Sequence, residues 1–134
     1  MDIISHSANG ILGPRDGSGW DSALVDEITE RYGILWVNSM GNDALGHYRA
    51  SFTDGDNDTL HEFQTGNEQL AVYSYKSYVS ILLQWADDWE RPTQDFQLHI
   101  YSKDGDLLGS AQDVQSGEVG QKPYEVMSGD TGGE

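Results

Sequence analysis

Three places in the sequence carry side chains whose type and spacing suit chemistry. The first is Asn42, which follows the apolar run Ile34, Leu35, Trp36 and Val37 by a short polar turn. An amide just beyond the carboxyl end of a strand stands where open α/β sheets place their ligands. The same Gly41-Asn42 pair is equally the signature of a plain turn. The second place is Asp54-Gly55-Asp56-Asn57-Asp58, whose oxygen donors recur every second residue, a spacing that suits Ca²⁺ because a hard cation gathers six to eight oxygens from a turn. It is not an EF-hand, since Thr59 stands where that loop needs glycine and Thr65 where it needs glutamate. The third is the set Asp87, Asp88 and Asp95, a second candidate for calcium. For both acidic sets the competing reading is a solvated turn. His6, His47, His61 and His99 are read as structural or surface residues, and Trp85 as core. Trp89, beside Pro92, is the candidate for an exposed aromatic platform.

The elements that must position these groups divide the chain in two. Ile3 and Ile4 open a strand, a glycine-rich loop runs to Gly19, and Ser18 with Asp21 reads as a capping box at a helix start. Trp20, Leu24, Ile28 and Tyr32 form one apolar stripe, and Gly33 supplies the left-handed residue that ends the helix. The run from Ile34 to Val37 then reads as a fully buried parallel strand, which makes a right-handed βαβ unit over residues 1–45. From residue 46 the pattern changes to short alternating strands, expected at Tyr48 to Thr53, Leu60 to Phe63, Leu70 to Tyr75, Val79 to Trp85, Phe96 to Ile100 and Tyr124 to Met127. Lys103-Asp104-Gly105-Asp106 is a hairpin turn, with Leu107 and Leu108 opening the returning strand. The fold class is therefore mainly β: an antiparallel, jelly-roll-like β-sandwich over 46–127, preceded by the short βαβ segment and followed by a flexible tail at 128–134.

Composition restricts the partners. Seven Lys and Arg against 23 Asp and Glu give a net charge of −16, the wrong sign for nucleic acid or an anionic membrane. There is no cysteine, so neither a disulfide nor a thiolate metal site is available. No apolar run is long enough for a membrane span, and no signal peptide is visible. A strand opening this close to the first residue suggests a piece of something longer.

The run Ile3-Ile4-Ser5-His6-Ser7, a helix, and then Gly33 through Asn42 resembles the segment of subtilisin-like serine proteases that ends in the oxyanion-hole asparagine. The resemblance implies that Asn42 is that asparagine and that Ser7, Ala8 and Asn9 form the edge on which substrate backbone lies. Asn9 stands where the family has glycine, and Met40 where it has a small residue. It also implies that the catalytic aspartate and histidine precede Met1 and that the serine follows Glu134, so that this chain alone is inactive. The block from Val79 to Trp85, Asp95 to Tyr101 and the hairpin after it resembles the β-sandwich modules known as pre-peptidase C-terminal-like domains. Together these imply a secreted endopeptidase with an inserted sandwich that binds calcium through aspartates such as Asp87 and Asp95. The implied partners are the rest of the catalytic domain and a polypeptide substrate. A further copy of the chain is a third, since the missing last strand leaves a sheet edge. The alternative is a free-standing calcium- or protein-binding module unconnected with catalysis.

Overall fold

The computed structural model describes residues 2–8, 10–42 and 46–130. It contains strand β1 (Ile3–His6), helix α1 (Trp20–Tyr32) and strands β2 (Leu35–Asn38), β3 (Tyr78–Gln84), β4 (Leu98–Tyr101), β5 (Leu107–Ala111) and β6 (Tyr124–Asp130). These pair into three separate two-stranded sheets, β1–β2, β3–β6 and β4–β5. The chain is mainly β with one helix, and among the described residues no closed sheet or completed sandwich is formed.

The βαβ unit forms as its sequence dictates. β1 and β2 pair in parallel with Ile3 opposite Leu35 and His6 opposite Asn38. Gly33 takes φ 62°, a left-handed conformation, and its N–H donates to the Thr29 carbonyl at 3.1 Å, closing α1. The start of the helix differs from expectation. Its N-cap is Gly19, with no side-chain capping bond. Asp16 is the reason, because its Oδ1 accepts from both the backbone and the hydroxyl of Ser18 and so removes that hydroxyl from the helix end. The expected full burial of β2 is also corrected: Leu35 is 47% exposed, and α1 has no buried residue.

The second half is only partly stranded. β3 and β6 pair antiparallel from Tyr78 opposite Asp130 to Gln84 opposite Tyr124, so β6 runs on through residues 128–130 of the expected tail. The Asp-Gly hairpin forms as read, with Gly105 at φ 90° and β4 antiparallel to β5. β5 lies against β6, where Gly109 faces the Met127 thioether.

Three expected strands, at 48–53, 60–63 and 70–75, do not form. In the first two the chains do run alongside one another, and the Glu62 N–H donates to the Thr53 carbonyl at 2.8 Å. The ladder goes no further because the His61 ring takes the Thr53 N–H at 3.1 Å, a side chain displacing a backbone partner. Packing here is aromatic: Tyr48, His61 and Phe63 meet at tilted or edge-on angles, Phe52 stacks on His61, and Phe52 meets Phe96, which lies edge-on to Trp85. In the third, Tyr73 and Tyr75 stand in solvent. Across the described residues the buried side chains are Gln115, Glu125, Pro92 and Pro123, and apart from the two prolines no apolar side chain is buried.

Candidate functional site

The parallel pairing decides the geometry of the first site. Because β1 and β2 run in the same direction and in register, the residues that leave them emerge at one edge. Ser7 and Ala8 leave β1 there, and Ser39 to Asn42 leave β2. The Ser39 N–H donates to the His6 carbonyl at 3.0 Å, which carries the pairing one step beyond the strand. Gly41 then turns the chain at φ 82°, a value that a side chain would strain, and sets Asn42 in solvent at the carboxyl edge. Met40, on this loop, is 99% exposed. Asn9 lies outside the described residues, as do residues 43–45 on the near side of the expected boundary between 45 and 46. One feature of this edge escaped the sequence reading: His6 Nδ1 and Asn38 Oδ1 are 2.6 Å apart, and the His6 ring lies 5.4 Å from that of Trp36. Only the pairing register brings these residues together.

The acidic turn is the second site. One carboxylate oxygen from each of Asp54, Asp56 and Asp58 lies within 4.8 Å of the others, an arrangement that fits a hard, oxygen-seeking cation. Asp54 organises the turn. Its Oδ1 accepts from the N–H of Asn57 and Asp58, and its Oδ2 from that of Thr59. Asn57 and Thr59 adopt positive φ to bring those groups inward. Glu68 faces the same turn; partial burial first, and then the charges of Asp58, Asp56, Glu62 and Asp54, push its carboxyl above the usual range.

Asp87, Asp88 and Asp95 do not converge in this way. Asp87 closes a loop: its Oδ1 accepts from Asp88, and its Oδ2 from Thr93 and Gln94, each at 2.7 Å. The Gln94 bond, ahead of the other two, holds this carboxyl below its ordinary value. Asp95 Oδ1 accepts from the Gln115 N–H at 3.2 Å. That bond leads to a carboxylate the sequence did not single out. Glu125, on β6, is 2% exposed, and Gln115 Nε2 donates to its Oε1 at 3.2 Å. Burial raises the Glu125 carboxyl, and the charges of Asp113 and Asp95 raise it further. Nothing in Tyr124-Glu125-Val126 signals which face turns inward; pairing with β3 settles it.

No protein-family model matches the chain, and no solved structure does. A 45-residue stretch, 34% of the chain, is 42% identical to part of pyrolysin from Pyrococcus furiosus, a subtilisin-like protease. The match spans 3% of pyrolysin's length, so the likeness is to one region of that protein and not to the whole of it.

Proposed function

We propose that this chain is part of a secreted subtilisin-like serine endopeptidase, to which it contributes the oxyanion-hole amide and an accessory β module. The observation that carries the reading is the parallel register of β1 and β2, which brings Ser7, Ala8 and Asn42 to one sheet edge; the partial likeness to pyrolysin supports it. In peptide hydrolysis, negative charge grows on the carbonyl oxygen as the nucleophile adds. An amide N–H held at that position stabilises the transition state more than the ground state. Asn42 fills this role, and Ser7 to Asn9 offer backbone to an extended substrate. The uncovered faces of β1 and β2 are filled by the remainder of the catalytic domain, because parallel strands seldom stand with both faces in water. Residues 1–45 form the catalytic segment, and residues from 46 onward form a β-sandwich in which the β3–β6 and β4–β5 pairs belong to facing layers.

The test is made in the complete reading frame. Flanking sequence that encodes aspartate, histidine and serine motifs supports the assignment, and flanks without them overturn it. In the complete enzyme, Asn42→Ala lowers kcat by about 10²–10³ with little change in KM. An unchanged kcat removes Asn42 from the oxyanion hole.

A second reading, a calcium-binding module, is favoured by the convergence of Asp54, Asp56 and Asp58. Calcium bound only by the folded chain raises its melting temperature. Chelation with EGTA lowers it again, and Asp56→Asn with Asp58→Asn removes the response. A melting temperature indifferent to millimolar Ca²⁺ rules the module out.

A further inference from the structure

The loop before α1 and the loop after β3 enclose a cleft of about 510 Å³ whose walls are indole rings and carboxylates. Trp20, 80% exposed, and Trp89 both line it; Asp16, Asp21, Asp88 and Glu90 stand among them, and no basic residue lines the cleft. The two loops are tied together beneath it, where Gln84 Nε2 donates to the Gly13 carbonyl at 2.7 Å. Asp16, Asp21 and Asp88 each commit their Oδ1 to local backbone bonds, and their second oxygens carry no hydrogen bond among the described residues.

These acids do not converge within the 4.8 Å that unites Asp54, Asp56 and Asp58, so a point-like metal ion is a poor fit. A broader organic cation, flat enough to lie on an indole and wide enough to reach two carboxylates, suits them better. The molecule already shows the interaction at the rim. The Lys122 ammonium sits 5.7 Å from the centre of the Trp89 ring while pairing with Glu90 Oε1 at 2.6 Å. We propose that this cleft binds an arginine or lysine side chain of a polypeptide. The cation lies against the exposed Trp20 ring, with Trp89 on the same cleft, and its N–H groups donate to Asp16, Asp21 or Asp88. The site stands apart from the oxyanion edge and does not depend on the assignment of Asn42.

The probe is a capped pentapeptide with one arginine among glycines, titrated into the 134-residue chain by calorimetry and by following the indole N–H signals of Trp20 and Trp89. Saturable binding in about the millimolar range is expected, together with shifts of both indoles. Trp20→Leu removes a solvent-exposed ring, and Asp21→Asn removes a charge without changing shape; each weakens binding about tenfold. Asp56→Asn with Asp58→Asn removes more charge elsewhere and leaves affinity unchanged. Equal binding of a norleucine peptide, equal weakening by the Asp56 and Asp58 substitutions, or no saturation up to about 10 mM peptide would each overturn the site.

Discussion

The βαβ unit and the region after residue 46 differ in what holds them. In the first, regular hydrogen bonding is complete while apolar packing is missing. β1, β2 and α1 form with the expected register and termination, yet Ile3, Trp20, Leu24, Tyr32, Leu35 and Val37 all remain exposed. In the second, three of the expected strands are lost, but side chains grip one another through the aromatic stack from Tyr48 to Trp85 and the loop bonds of Asp87. Secondary structure and packing are therefore separable in this chain. The βαβ unit presents a finished backbone with unfinished surfaces, and the other region supplies its own contacts.

The largest test of that contrast is Phe96→Ala. Phe96 joins the 48–63 segment to the strands through Phe52 and Trp85. Its loss should cost about 2–3 kcal/mol in a urea melt, somewhat less than for a fully enclosed ring. Val37→Ala in β2 should change stability by no more than about 0.5 kcal/mol, because the removed methyl groups already face water. Equal costs would erase the distinction. Next in size is Asp87→Ala, which strips three backbone N–H groups of a charged acceptor and should cost about 1.5–3 kcal/mol. Hydrogen exchange at Thr93 and Gln94 should accelerate, while amides of β1 and β2 stay as they were.

The sequence was most legible where one residue settles the backbone. Gly33 announces the helix end by its freedom at positive φ, and Asp104-Gly105 announces the hairpin. It was least legible where a side chain outbid a backbone group. The alternation of Tyr48 to Thr53 is a sound strand pattern, but it does not show that the His61 ring will take the Thr53 N–H. Ser18 and Asp21 have capping-box spacing, but Asp16 claims the hydroxyl first. For the site, Asn42 and the Asp54 turn were visible because both are local in sequence. Glu125 and the cleft at Trp20 and Trp89 were not, since each is assembled from segments far apart in the chain.

The smallest effect, and the one that separates packing from charge, concerns Glu125. Burial beside Asp113 and Asp95 raises its carboxyl, so the folded chain prefers the protonated form more than the unfolded chain does. The stabilisation from this proton is fully present below the ordinary glutamate range and is lost as pH rises through the raised value. Asp87 acts in the opposite sense: its depressed carboxyl stabilises the fold above the ordinary aspartate range, and that contribution is lost as pH falls through its folded value. The two windows lie on either side of the unperturbed carboxylates and are read independently. Between mildly acidic and neutral pH, the melting temperature should therefore fall in the native sequence. Glu125→Gln, which keeps the shape and the contact with Gln115 while removing the charge, should flatten that slope and raise stability at neutral pH. A slope unchanged in the Glu125→Gln variant would mean that β6 carries its charge at no cost and that the raised carboxyl of Glu68, at the acidic turn, sets the pH dependence.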